Sequence, residues 1–263
     1  MRIAALYLFP VKSLAAVSLN SFTCHEAGPS FDREWMLVDA KTNIFLTQRE
    51  LPRMALVQPK LDFEQDLLQL SAPGMAESVD IPLSIRDKVP TRAQVWGDEL
   101  PVTDMGNEPA GWLSKFLSRD VRLVRFLPAS RIKGGDEARE IRFVDDYPLH
   151  IASLASLEDL NKKLPAPIEM LRFRPNIVLS GAAPWAEDGW KSVMMGGHEF
   201  RVGRACTRCS ITTVDPANAE KGLEPLKTLA GFRRDAKNKI EFGTYLHTVD
   251  KAELKVGMSV TVS

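Results

Sequence analysis

The first hundred residues are a succession of short apolar runs: "IAALYLF", "WMLVDA", "IFLTQ", "ALVQPKLDFE", "LLQLSAP" and "AQVWGDELPV", each closed by turn-forming residues. Valine, leucine and aromatic side chains in partial alternation favour strands. A series of short strands with turns between them predicts a compact, mostly antiparallel sheet or barrel. The first helical pattern is "GWLSKFLS", where Trp112, Leu113, Phe116 and Leu117 share one face.

The polar stretch Ser130 to Phe143, with Gly134–Gly135 at its centre, reads as an exposed loop. A junction is expected between residues 118 and 140, dividing the chain into 1–122 and 123–263. A second helix is expected after Ser156, which pairs with Asp159 as a cap; Leu157, Leu160 and Leu164 form its buried stripe and Pro165 stops it. Strands then resume at "NIVLSG", "HEFRVG", "SITTV", "IEFGTYLHTV" and "SVTV", with a short helix near "LEPLKTLAGFR". The expected fold is a β-rich α+β chain in two parts; 263 residues suit two domains.

Apolar residues are 44% of the chain and charged residues 26%, which excludes a disordered or fibrous protein. Basic and acidic residues number 34 each, so no global field favours nucleic acid or an anionic membrane. No apolar stretch approaches the roughly 18 to 20 residues of a membrane helix, and "MRIAALYLFPVKS" reads as a first strand that Pro10 breaks. Three cysteines are too few for a disulfide framework. A cytoplasmic protein is expected.

Two of those cysteines lie in "ACTRCSITTVDP", residues 205–216. Structural zinc takes four ligands, commonly as two close pairs, and here there is one pair; Cys24, His25, His150, His198 and His247 are scattered singly. A redox CxxC should open a helix that lowers the thiol pKa, whereas "SITTV" reads as strand. Arg208 argues against two packed thiols, because a guanidinium is costly to bury unpaired. If both face one site, it favours the thiolate of Cys209, a soft ligand suited to a redox metal.

"CTRCSITTVDP" occurs with "FRPNIVLSG" from Phe173, "FPVKS" from Phe9, "FDREWML" from Phe31 and "FGTYL" from Phe242. Together these motifs, which keep the family's order along the chain, resemble the MOSC-domain proteins, and within them the amidoxime-reducing components and the bacterial hydroxylaminopurine-resistance proteins. The resemblance covers nearly the whole chain. It implies an N-terminal MOSC-type β-barrel domain, then a MOSC β-barrel domain with a few helices. It also implies a mononuclear molybdenum cofactor whose protein ligand is Cys209. Carried over motif by motif, Lys12, Ser13, Arg33, Arg174, Asn176, Thr207, Arg208 and Tyr245 would contact the pterin and its phosphate. A phosphate-bearing dithiolene needs such cations and donors, arginine above all for its forked geometry. Pro175 is expected to hold Arg174 extended.

Asp145, Asp146 and Tyr147 match a loop that borders the cofactor in relatives; Asp146 is a possible proton relay, though an Asp pair before Pro148 also suits a turn. Cys206 is not expected to ligate. The resemblance implies reduction of N-hydroxylated compounds, among them amidoximes, hydroxylamines and N-hydroxylated purine bases. The chain carries no cysteine cluster for an iron–sulfur centre, so electrons would come from a separate flavin, haem or iron–sulfur protein. A cofactor carrier and a sulfur-transfer protein are the other readings.

Overall fold

A computed structural model describes residues 1–84, 89–133, 139–248 and 251–263. The fold is β-rich α+β, with three α-helices among the described residues. The largest unit is an eight-stranded sheet in the order Val17–Leu19, Arg2–Leu8, Ile177–Ser180, Leu149–Ser153, Glu241–His247, His198–Thr207, Ser192–Met195, Val260–Val262. Its neighbours are antiparallel except Leu149–Ser153 beside Ile177–Ser180. That parallel pair is joined through a helix, as parallel strands require. The sheet curls back on itself, because Arg2 bridges Ser259 and the Ile3 amide donates to the Met258 carbonyl at 2.9 Å. Ile3, Leu6, Phe22, Ile151, Leu179, Phe200, Leu246 and Leu254 fill its interior.

A second core lies between a four-stranded sheet (Trp35–Asp39, Val121–Phe126, Asp98–Asp104, Val89–Val95), a three-stranded sheet (Gln58–Asp62, Leu67–Ser71, Val79–Pro82) and helix α1, Asn107–Leu117. Leu113, Phe116 and Leu117 of α1 are buried there, as the spacing predicts, and Trp112 packs at its margin. Each such side chain withdrawn from water contributes about 1.5–3 kcal/mol.

Sheet membership does not follow the linear division near residue 122. Arg2–Leu8 and Val17–Leu19 join the eight-stranded sheet, and Ser21–His25 pairs with Ala252–Lys255. The expected Gly134–Gly135 loop lies outside the described residues.

Three local expectations are corrected. Helix α2 is Leu154–Asn161 and its cap is Ser153, whose hydroxyl accepts the Ser156 amide at 3.1 Å. Ser156 sits one turn in, and its hydroxyl accepts the Trp185 amide at 2.8 Å. "IFLTQ" forms only isolated bridges, Ile44 to Gln94 and Phe45 to Val38, because the chain turns at Thr47. "SITTV" is not a strand: Ser210–Thr213 is one 3₁₀ turn, in which the Thr212 and Thr213 hydroxyls donate back to the Cys209 and Ser210 carbonyls at 3.0 and 2.8 Å. β-branched threonine suits a strand by propensity, but these local bonds offer the backbone an alternative.

Glu187 is 1% exposed, and neither carboxylate oxygen has a partner of good geometry among the described residues. Burial raises its pKa more than nearby Ser156 and backbone groups lower it. A carboxyl raised in the folded state contributes stability below its unfolded value, about 4.3, and loses it as pH climbs through the folded value. Glu187→Gln is therefore expected to flatten the fall of stability above that pH. At pH 7.5 it should raise Tm, as read by thermal denaturation across pH, with the gain vanishing below about pH 4.

Candidate functional site

One cleft is lined by all ten residues singled out from the sequence: Lys12, Ser13, Arg33, Asp146, Arg174, Asn176, Thr207, Arg208, Cys209 and Tyr245. They arrive from six segments that the two cores bring together. After Pro10 ends the first strand, Val11 bridges Trp35 and the chain turns through Ser13, whose φ is +66°. The Gln48 amide holds that turn by donating to the Ser13 carbonyl at 2.7 Å. Arg33 follows a turn fixed by buried Asp32, whose Oδ1 accepts the Phe9 amide at 2.8 Å and whose Oδ2 pairs with the Arg33 guanidinium.

Arg174 departs from expectation. It is not extended but left-handed, φ +55°, where it closes the 3₁₀ turn Met170–Phe173. Proline disfavours the right-handed helical region before it, and left-handed backbone is another way to avoid that region. Its guanidinium lies 4.1 Å from the Phe9 ring centroid, with Arg33 at 4.3 Å from the same ring. Nη1 donates to the Leu14 carbonyl at 2.7 Å, while Nη2 is buried with no partner among the described residues. Burial first, and Arg33 second, push its pKa down to about 9. Asp32 and Asp145 offset part of this charge, but not enough to restore the ordinary value.

Arg208 repeats the pattern. Its Nη2 donates to the Phe173 carbonyl at 2.8 Å and its Nη1 to the Cys206 sulfur at 2.5 Å; Nε is buried and unpartnered among the described residues. Two guanidiniums thus each keep a spare N–H in one cleft. A buried donor left unmade costs about 1–3 kcal/mol, so this arrangement fits a bound anion.

The two cysteines separate cleanly. Cys206 is buried and burial pushes its thiol pKa up, so it stays neutral beneath the site. Cys209 is exposed, caps the 3₁₀ turn, and has its sulfur 3.1 Å from Arg49 Nη2. No group of three or more metal-ligating side chains occurs among the described residues, so Cys209, the exposed cysteine of the cleft, is the sulfur it offers a metal.

Asn176 is already engaged, its Nδ2 donating to the Tyr7 carbonyl and its Oδ1 accepting the His150 amide, each at 3.2 Å. It ties three strands together and, among the described residues, keeps one N–H in reserve. Tyr245 stacks on Tyr147 with centroids 5.3 Å apart, and burial pushes its pKa up, so the phenol remains a donor. Beneath it His150 is buried, its pKa held well below the ordinary value by burial and then by Arg208. The neutral ring donates from Nε2 to the Phe242 carbonyl at 3.2 Å.

Lys12 donates to the Phe143 carbonyl at 2.8 Å and to Asp145 Oδ1 at 2.5 Å. Burial raises the Asp145 pKa, but Lys12, Arg49 and the Trp96 indole outweigh it and bring it down to about 2. Asp145 is therefore an ionised anchor. Asp146 pairs with Arg204 at the rim.

Arg49, which reaches Cys209 from beside the cleft, is one of the residues that the sequence reading missed, with His150 another. Arg49 stands in a turn where Thr47 Oγ1 accepts the Arg49 amide and Glu50 Oε2 accepts the Thr47 amide, both at 3.2 Å. "T-Q-R-E" is the sequence form of a capping box, a signal that marks the turn though not what Arg49 reaches.

The fold and cleft define a class that comparison names. Residues 1–120 match the MOSC N-terminal beta barrel domain and residues 138–261 the MOSC domain, and the chain belongs to the MOSC-domain family. It is 35% identical to a protein named mitochondrial amidoxime-reducing component 1 of Mus musculus, over 88% of this chain and 71% of that one. It is 34% identical to the protein of the same name from Homo sapiens, over 97% and 81%. A Solanum lycopersicum protein named molybdenum cofactor sulfurase is 30% identical over 93% of this chain, which spans 33% of that longer protein.

Proposed function

We propose that the cleft binds a molybdenum cofactor with Cys209 as the metal's protein ligand, and that the chain reduces N-hydroxylated small molecules. The observation that carries this reading is the pair of unpartnered guanidinium nitrogens, on Arg174 and Arg208, in the same cleft as one exposed cysteine sulfur. The names of the relatives support it.

Arg174 and Arg208 would hold the anionic part of the cofactor, with Lys12, Ser13, Arg33, Asn176, Thr207 and Tyr245 as further contacts. When bound, the cofactor supplies a two-electron reduction in which an N–OH group takes up two electrons and two protons and leaves as N–H and water. The chain's own residues bind and orient. Tyr245 offers a phenolic hydrogen bond across the working pH range, Lys12 is steadied by Asp145, and neutral His150 supports the floor. Asp146 would pass a proton at the rim only when its pair with Arg204 opens. Electrons come from a separate flavin, haem or iron–sulfur protein. All three cysteines are free, which suits a reducing compartment such as the cytoplasm. No helix among the described residues is long and apolar enough to cross a membrane.

A cofactor carrier would need the same cradle and is the second reading; the similarity to cofactor sulfurases bears on the third, sulfur transfer. Cofactor-loaded protein given an amidoxime and a chemical reductant separates them. Steady conversion to the amidine is expected; stoichiometric cofactor without conversion would make the protein a carrier. Sulfur transfer would instead show as a mass gain of one sulfur on a cysteine after incubation with a sulfur donor.

A further inference from the structure

The strands Val89–Val95 and Asp98–Asp104 are joined by two residues, Trp96 and Gly97, since Val95 pairs with Asp98. Trp96 has φ +55°, a backbone that glycine adopts freely in such turns and a bulky side chain does not. Strained positions of this kind gather where a ligand is met. The indole is held from three sides. Its ring lies 4.9 Å from that of Phe45, its N–H donates to Asp145 Oδ1 at 3.3 Å, and the Arg49 guanidinium lies 5.1 Å from its centroid. Arg49 is in turn 3.1 Å from the Cys209 sulfur. A single guanidinium therefore separates an aromatic ring from the proposed metal ligand, yet Trp96 is 48% exposed.

We propose that Trp96 and Arg49 form a flat shelf at the lip of the cleft that selects planar, π-bearing N-hydroxylated substrates over compact aliphatic ones. The inference rests on the reductase reading above. Indole and guanidinium both present planar faces, and a planar substrate gains by stacking on either. A small hydroxylamine has no face to stack, so it gains nothing from the shelf. Asp145 and Phe45 fix the ring in place before the substrate arrives, which spares the entropy of ordering it.

The test compares an aryl amidoxime with N-methylhydroxylamine on cofactor-loaded wild type, Trp96→Gly and Trp96→Phe. Glycine suits the left-handed turn, so the hairpin is kept. The ratio of kcat/KM for the aryl over the aliphatic substrate is expected to fall roughly five- to tenfold in Trp96→Gly, as the loss of one aromatic stacking contact predicts. It should stay within about twofold in Trp96→Phe, which keeps a ring. The loss should appear in KM rather than kcat. An unchanged ratio in Trp96→Gly, or equal losses for both substrates, overturns the shelf. Titration calorimetry of the aryl amidoxime without reductant gives a reading free of turnover: Kd should rise by the same factor in Trp96→Gly, and an equal Kd overturns the proposal. If wild type binds the aryl compound but reduces neither substrate, the reductase reading fails while the calorimetry still decides the shelf.

Discussion

Cys209→Ala is expected to lose essentially all molybdenum and all turnover while its Tm stays within about 1 °C of wild type, as befits an exposed position. The reasoning is geometric. Cys209 is exposed and its sulfur touches Arg49, so its removal opens no cavity in either core. Cys206→Ala should behave in the opposite way. That thiol is 1% exposed and accepts from Arg208, so its loss costs roughly 1–3 kcal/mol of stability but keeps the metal. Metal analysis of both variants, grown with a molybdate supply, reads the difference. Equal molybdenum in Cys209→Ala and wild type would refute ligation by Cys209, and zinc in both would revive the zinc reading.

Gly243→Ala is expected to be strongly destabilising. Gly243 has φ +70°, and an added Cβ would lie 2.4 Å from His150 Nε2 and 2.6 Å from the Ile151 carbonyl oxygen. Left-handed backbone costs about 1–2 kcal/mol for a residue with a Cβ, and overpacking adds about 1–3 kcal/mol. The sum corresponds to a fall in Tm of roughly 5–15 °C. Gly74→Ala isolates the backbone part, because Gly74 has φ +78° with nothing within 4 Å of its Cβ position. Thermal denaturation of the two variants should therefore differ by the packing cost alone, and equal falls would show that the clash is relieved at no cost. Because His150 lies in the cleft wall, Gly243→Ala should also weaken molybdenum loading.

Much of this arrangement was legible in the sequence, for reasons that can be given residue by residue. Helix α1 was readable because Leu113, Phe116 and Leu117 show the helical period that burial then uses. The ten cleft residues were readable through the resemblance of their motifs to the MOSC-domain proteins, because any single Lys or Arg reads as a solvated surface base until its motif is matched. What stayed hidden is where short-range and long-range demands part. "SITTV" has strand propensity, yet its two threonine hydroxyls close a 3₁₀ turn on their own backbone. Ser156 looks like a cap, yet Ser153 is better placed at the strand end and leaves Ser156 to serve Trp185. Arg49 could not be found by spacing, because its contact with Cys209 spans 160 positions and belongs to no shared motif. The weight of Asp145 over Asp146 was likewise hidden: adjacent carboxylates read alike until one meets Lys12 and the other Arg204.

The closing bridge from Arg2 to Ser259 ties the order of synthesis to the order of folding. The Met1 carbonyl accepts the Val260 amide at 3.0 Å, and Arg2–Leu8 finds its long partner only at Ile177–Ser180. On the ribosome the first strand therefore emerges with one edge unmatched and waits for most of the chain. The sheets around Trp35–Asp39 and Val121–Phe126 are complete far earlier. High contact order of this kind slows folding and leaves a sticky edge exposed in the interval. The cleft, which draws residues from both the earliest and the latest segments, is then among the last features to form, and a cofactor has no complete cradle until the barrel shuts.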